Sequence, residues 1–222
     1  MAATYDSVSS QFTTAVSSIT KTHTFVGSAN PTLTMLFANN DNSLTHDTVT
    51  FNGSSATKAV DTADATVAVR VSIWYLGGTA GSHSMVFTQS GSSGMYVGGI
   101  GYIGSNDSSP AGATGSEVDT SDDNSASCPI TTSYDNSKIV GVFCTNGLVG
   151  TVSDANCTMR YELDGSRTSA AGDMSTTTAG SYTPSLSLGG DTAKTVFVAL
   201  EVRELVAAAT ATRRRTLLGV GQ

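Results

Sequence analysis

The feature that most constrains the fold is the stretch of residues 67–76, in which two kinds of side chain alternate. Its odd-numbered positions hold only valine, isoleucine or tyrosine, whereas its even-numbered positions include Arg70, Ser72 and the only tryptophan, Trp74. A period of two places these sets on opposite faces of a β-strand, so we expect the odd-numbered face to line a core. Glycines interrupt the pattern, and a second alternating stretch follows at residues 83–89. Together the two stretches predict a hairpin at the centre of an all-β domain.

Alternation of this kind recurs along most of the chain. It predicts about a dozen short strands, separated by Gly, Asn and Asp residues, and no substantial helix. The expected fold is an antiparallel β-sandwich of the jelly-roll or concanavalin-like type. We expect residues 1–206 to form this single domain and residues 207–222 to form a C-terminal tail or docking arm.

Three local signals refine the expected strand pattern. Asn-Gly pairs at residues 52–53 and 146–147 predict hairpin turns, because both central residues of a type I′ turn need positive φ. The expected strand at residues 95–103 is rich in glycine, which predicts that a neighbouring layer approaches its backbone closely. The long polar stretch 104–127 is expected to hold one short strand near residues 116–120.

Charge and the lack of targeting features argue against several classes of partner. The net charge is −7, so the chain lacks the basic footprint that nucleic-acid binding needs. No apolar run approaches the ~20 residues of a membrane span, and the first residues lack the pattern of an export signal. We therefore expect synthesis in a cytoplasm, with neither nucleic acid nor a membrane as partner.

The three cysteines, Cys128, Cys144 and Cys157, form an odd set without the spacing of metal ligands. Free thiols are the favoured interpretation. A Cys144–Cys157 disulfide, or an intermolecular bridge through Cys128, remains an alternative.

No catalytic motif stands out. Residues 99–104 match GxGxxG, but a turn sequence follows where a dinucleotide site needs a helix. His23, His46 and His83 are scattered over different predicted strands and loops, and no GxSxG motif is present. No pair of glutamates has the placement expected of a sandwich glycoside hydrolase. The prediction is that the protein is not an enzyme and uses no cofactor.

One polar loop offers candidate cation ligands. Asp119, Asp122 and Asp123 supply the carboxylate oxygens that Ca²⁺ prefers, although the EF-hand spacing is absent. The alternative is a solvated loop without a metal.

Several stretches resemble jelly-roll-like β-sandwich proteins of tailed bacteriophages, a group that is related to bacterial surface domains. The resemblance covers about residues 4–110, and its motifs are structural. They are TYDSVSS at residues 4–10, THTFVGS at 22–28, VTFNG at 49–53, VRVSIWYL at 69–76, GSHSMVFT at 81–88 and YVGGIGYIG at 96–104. Members of this group are often virion accessory proteins, such as head decoration, fibre or collar proteins, or carbohydrate-binding modules.

The resemblance and the missing export signal together lead to one functional hypothesis and two rivals. The expected function is a virion structural protein that oligomerises and decorates or reinforces the particle surface, with its own copies and other virion proteins as partners. The first rival is a carbohydrate-binding module that contacts surface glycans through Trp74 and Tyr134, and the second is a sandwich-fold glycoside hydrolase. The residues expected to dock on a partner are Arg213, Arg214, Arg215, Leu217, Leu218 and Val220.

Overall fold

The computed structural model describes residues 3–29, 31–105 and 109–204, and every regular element within them is a β-strand. All strand pairings are antiparallel, so the predicted all-β antiparallel fold is confirmed. The strands are β1 (Thr4–Phe25), β2 (Thr32–Asn39), β3 (His46–Phe51), β4 (Ser54–Ser55), β5 (Thr57–Asp64), β6 (Val69–Gly77), β7 (Gly81–Ile103), β8 (Ala111–Asp123), β9 (Ser125–Ser127), β10 (Ile130–Thr131), β11 (Lys138–Thr145), β12 (Ser153–Asp154), β13 (Thr158–Asp164), β14 (Thr168–Ser175), β15 (Ser181–Tyr182), β16 (Ser185–Ser187) and β17 (Ala193–Val202).

The strands form two principal sheets and two small ones. The seven-stranded sheet has the order β4-β3-β7-β2-β6-β5, with β1 paired to β7, and the five-stranded sheet has the order β13-β14-β11-β17-β8. A three-stranded sheet, β12-β16-β9, and the pair β10-β15 complete the described part of the fold.

The long hairpin of β1 and β7 folds the seven-stranded sheet over itself. Strand β7 has 23 residues and pairs along its length with β1. Register shifts on β1 between Thr13 and Ser18 mark the bend, and Ala15 there has a φ of 52°. Met85 in the first half of β7 and Val97 in the second half consequently contribute to the same apolar core. Bulges increase local twist and bend a strand, which accounts for this closure.

Three apolar cores lie between the layers. The first is enclosed by the folded seven-stranded sheet, and the second lies between that sheet and the five-stranded sheet. The third covers the other face of the five-stranded sheet. Strand β17 illustrates the arrangement, because Val196 and Val198 belong to the second core while Phe197 belongs to the third.

The glycines of β7 permit close packing between layers, as the sequence predicted. A Cβ atom on Gly98 would overlap the ring of Tyr161, which belongs to β13 of the opposite sheet. A Cβ atom on Gly99 would lie 2.6 Å from the Sδ atom of Met85. Glycine at these two positions therefore makes room for large side chains that fill the cores on either face.

The expected central hairpin is wrong. Strand β6 pairs with β2 and β5, whereas residues 83–89 belong to β7 and pair with β1 and β3. Both faces of β6 are also covered, since Val71 lies in the second core and Trp74 in the first. Period two identified the strand, but it could not reveal a second apolar layer or choose the neighbours.

Of the two hairpin turns predicted at Asn-Gly pairs, the structure contains only the first. Asn52 and Gly53 have φ values of 52° and 77° and connect β3 to β4, so the first predicted turn is confirmed. The second is wrong, because residues 148–152 form no strand and β11 pairs with β14 and β17 instead. The side chain and backbone of Asn146 both bond to Lys194, which extends the contact with β17.

Two strands differ from expectation in extent. Strand β8 has 13 residues rather than a short segment near residues 116–120. Strand β14 was not predicted, because its Ser, Ala and Gly residues have little β-propensity, yet its first six side chains are buried. Their small size suits a central strand that is covered closely on both faces.

Candidate functional site

Several strands of the described fold have one unpaired edge, and two of them, β5 and β8, flank the same core. Strand β5 ends the path of the seven-stranded sheet and β8 ends the five-stranded sheet. Val60 of β5 and Val118 of β8 both pack partly buried against the second core, so these strands flank the same core. None of the side chains of either strand is fully buried. Every second residue of an edge strand directs its backbone N–H and C=O groups away from the sheet, where they can bond to another strand.

The C-terminal half of β8 is strongly acidic. Glu117, Asp119, Asp122 and Asp123 lie within seven residues, and β8 contains no basic residue. No ion pair involves these carboxylates within the described residues. The free edge of β8 therefore presents uncompensated negative charge, together with backbone groups that can accept another strand.

The candidate calcium ligands are part of this edge. Asp119 accepts a hydrogen bond from the backbone N–H of Ser121 at 2.8 Å. A hydrogen bond with Asp119, and then repulsion from the same carboxylate, raise the pKa of Asp123. No group of three or more His, Cys, Asp or Glu side chains in the described ranges is arranged to hold a metal ion. Calcium binding by Asp119, Asp122 and Asp123 stays a prediction.

A buried carboxylate anchors the loop beside β8. Glu201 of β17 accepts hydrogen bonds from the backbone N–H groups of Ala113, Ser133 and Tyr134 and from Ser137 Oγ, at 2.8–3.1 Å. A Cβ atom on Gly112 would collide with this carboxylate, so glycine is required for the close approach. Sequence analysis did not identify this role, because it depends on backbone donors from two distant segments.

Tyr134 is the better placed of the two glycan candidates. Its side chain is 37% exposed, and the Arg203 guanidinium lies 3.7 Å from the ring centroid. Trp74 is only 6% exposed and lies in the first core, with its Nε1 donating to Ser72 Oγ at 2.9 Å. Lys58 Nζ covers the ring at 4.7 Å from its centroid. The prediction that Trp74 contacts glycans is therefore wrong, because the ring is packed inside the protein.

A hydrogen-bonded chain connects His23 to two serines and one aspartate. Ser7 Oγ donates to Asp6 at 2.9 Å, and it can therefore accept from His23 Nε2 at 3.1 Å. The other ring nitrogen, Nδ1, then accepts from Ser9 Oγ at 2.9 Å. Burial lowers the pKa of His23 to about 4, against a smaller opposing effect of Asp6. The imidazole is neutral at pH 7 and a weak base, so this chain serves to satisfy buried polar groups.

The other two histidines have separate environments. His46 stacks on Phe37 with 3.6 Å between ring centroids, and its Nδ1 lies 2.7 Å from Ser72 Oγ. Burial lowers the pKa of His46 to about 3. His83 pairs with His23 across β1 and β7, which the sequence did not predict because the two belong to distant segments.

The cysteines are all buried free thiols, which confirms the favoured interpretation for Cys128, Cys144 and Cys157. The alternative Cys144–Cys157 disulfide is not formed, and Cys128 is buried, which disfavours an intermolecular bridge. Burial raises the pKa of Cys128 and Cys144 to about 12 and that of Cys157 to about 11, so all three stay protonated at neutral pH.

The remaining sequence candidates have the following positions. Residues 99–103 of the GxGxxG match belong to strand β7, so this motif does not form the strand-to-helix turn that a dinucleotide site needs. The expected docking residues Arg213, Arg214, Arg215, Leu217, Leu218 and Val220 lie outside the described residues. No helix among the described residues is long and apolar enough to cross a bilayer.

Comparison with known proteins found no matching family model, curated protein or solved structure.

Proposed function

We propose that the protein is a structural component of a phage virion and that it joins neighbouring subunits through its free strand edges. The observation that carries the proposal is the free edge of β8, which extends over 13 residues without a partner strand on its outer side. An exposed edge of this length favours addition of a further strand. The resemblance of residues 4–110 to phage accessory proteins supports the virion as the place of assembly.

The fold is suited to such a role because its apolar surface is already used. Three cores cover both faces of β2, β6, β11 and β17. The seven-stranded and five-stranded sheets are also fixed to each other by polar contacts, since Tyr102 Oη donates to Asp173 at 3.1 Å and Arg160 bonds to the same carboxylate. A rigid sandwich of this kind can present an edge in one defined orientation.

The proposal is tested by locating the protein on particles. Immunogold electron microscopy of phage particles from cells that express the chain with an epitope tag should show label at a regular position, with untagged particles as the control. Label that is absent from purified particles while the protein accumulates in the lysate would contradict the virion assignment.

A carbohydrate-binding module is the second candidate, and Tyr134 is the observation that favours it. An exposed aromatic ring held in place by a guanidinium can stack on a sugar face. Glycan-array binding that is lost in Tyr134→Ala and kept in Tyr134→Phe would favour this function, because phenylalanine retains the ring. Equal signals for the two variants, or no signal for the wild type, would exclude Tyr134 as a sugar platform.

A further inference from the structure

We infer that the free edge of β8 binds the C-terminal segment, residues 205–222, of a second copy of this chain. This inference rests on the proposed function, for which it names the partner and the contact. Two copies would exchange their C-terminal segments reciprocally, and each segment would add one antiparallel strand to the five-stranded sheet of the other copy.

The first argument is charge complementarity. Residues 205–222 contain Arg213, Arg214 and Arg215 and no acidic residue. The edge strand has four carboxylates and no basic residue. The basic segment of another copy has the charge that this edge needs.

The second argument is that no counter-charge for the acidic edge lies among the described residues. The described residues provide no ion pair to Glu117, Asp119, Asp122 or Asp123. Two of these carboxylates lie so close together that Asp119 raises the pKa of Asp123. Guanidinium groups placed beside them would remove this repulsion and form charge-assisted hydrogen bonds.

The third argument is the direction of the added strand. Strand β17 runs antiparallel to β8 and ends at Val202, opposite Ala111 at the start of β8. The chain's own segment, returning along the free edge, would therefore run parallel to β8. Parallel pairing is slightly less stable per residue than antiparallel pairing. A second copy can approach the edge in the favoured antiparallel direction.

The fourth argument is the order of residue types along the two segments. In β8 the uncharged half comes first, with Ala111 and Ala113, and the acidic half follows. In the C-terminal segment Arg213, Arg214 and Arg215 follow the uncharged residues 205–212 and precede Leu217 and Val220. Antiparallel pairing places the arginines beside the carboxylates and directs the final apolar residues toward Ala111 and Ala113, which pack only partly buried on the cores.

The test measures self-association of the full chain and of charge-reversal variants by sedimentation velocity over a range of protein and salt concentrations. The segment variant is Arg213→Glu with Arg214→Glu and Arg215→Glu. The edge variant is Glu117→Lys with Asp122→Lys, because both side chains are exposed and neither makes a described hydrogen bond.

Each variant should weaken dimer formation by at least about tenfold, and high salt should weaken the wild-type dimer. Mixing the segment variant with the edge variant should restore association, because the arginines of the edge variant meet the native acidic edge and the new glutamates of the segment variant meet the new lysines. A chain that carries both sets of changes should dimerise again for the same reason.

A matched control and a proximity measurement complete the design. Asp47→Lys reverses an exposed charge on β3, in the other sheet, and should leave association unchanged. Thr120→Cys and Thr216→Cys, introduced in separate preparations, should give a covalent heterodimer with a short bismaleimide after mixing, because the native thiols are buried.

The possible outcomes separate this inference from the proposed function. A wild-type dimer that neither charge reversal weakens would overturn the inference and leave assembly through another surface intact. A wild-type chain that stays monomeric at every concentration would also overturn the inference, whereas labelled particles would still support the virion role. Unlabelled particles combined with a charge-dependent dimer would refute the virion role and keep the contact.

Discussion

Strands β7 and β8 both contain several glycines and serines, yet their environments are opposite. Strand β7 pairs with β1 along one edge and with β2 and β3 along the other, and most of its second half is buried. Within the described residues strand β8 pairs only with β17, and none of its side chains is buried. Glycine in β7 admits large side chains from neighbouring layers, whereas the acidic residues of β8 lie at exposed or partly exposed positions. The comparison shows that neighbours, more than local composition, decide whether such a strand becomes a core element or an open edge.

The largest effect that should separate the two strands is acid destabilisation around β7. His23 and His46, on strands paired with β7, have pKa values lowered by burial from 6.5 to about 4 and about 3. The unfolded chain binds protons on both histidines below about pH 6.5 while the folded chain does not, so stability is full above that pH and falls as the pH decreases toward 4. The expected loss between pH 7 and pH 4 is about 2–3 kcal/mol for each histidine.

Urea denaturation at a series of pH values measures this loss. His46→Gln should flatten the pH dependence, whereas the control His83→Gln, at a partly exposed position, should keep it. A pH dependence that is unchanged in His46→Gln would show that this histidine is not responsible.

The next largest effect concerns the polar contact that fixes β7 to the five-stranded sheet. Asp173 is 1% exposed and bonds to Arg160 and to Tyr102 of β7. Asp173→Ala should lower the free energy of unfolding by about 3–5 kcal/mol, because it leaves a largely buried guanidinium without its partner. Chemical denaturation checks the value, and a loss below about 1 kcal/mol would mean that solvent replaces the contact.

Packing on β7 should give a smaller but site-specific effect. Gly98→Ala should destabilise the protein by about 1–3 kcal/mol, because the new methyl group overlaps the ring of Tyr161. Gly180→Ala is the matched control, since a Cβ there would have no atom within 4 Å, and it should change stability by less than about 0.5 kcal/mol. Partial rescue of Gly98→Ala by Tyr161→Leu in thermal unfolding would identify the clash as the cause; no rescue would point to the backbone instead.

The smallest effect on stability is expected at β8 and the C-terminal segment. Glu117→Lys with Asp122→Lys, or deletion of residues 207–222, should change the free energy of unfolding by less than about 0.5 kcal/mol while weakening assembly. Thermal unfolding measured beside sedimentation separates the two properties. A large loss of stability in either variant would show that the edge belongs to the folded core, and the contrast with β7 would then fail.

Sequence reasoning located strands well wherever side chains alternate. The stretch 67–76 was predicted as a strand and corresponds to β6, and the turn at Asn52 and Gly53 was identified from its residues alone. The same reasoning missed β14, because its small residues carry no periodic signal and are buried only by their neighbours. The same reasoning also predicted that Trp74 is exposed and contacts glycans, whereas the side chain is buried. A period of two cannot indicate that a second layer covers the other face of the strand.

By itself the sequence determined the class of fold, the positions of most strands and the opposite charges of β8 and the C-terminal arginines, because these depend on residue type and short-range periodicity. Only the tertiary structure decided which strands pair, that three cores are stacked, and that β8 keeps one edge free. Strand pairing depends on contacts between residues far apart in the chain, and an alternating segment can satisfy its backbone groups equally well against many partners. The choice among them is made by the summed packing of all layers, which no single segment contains.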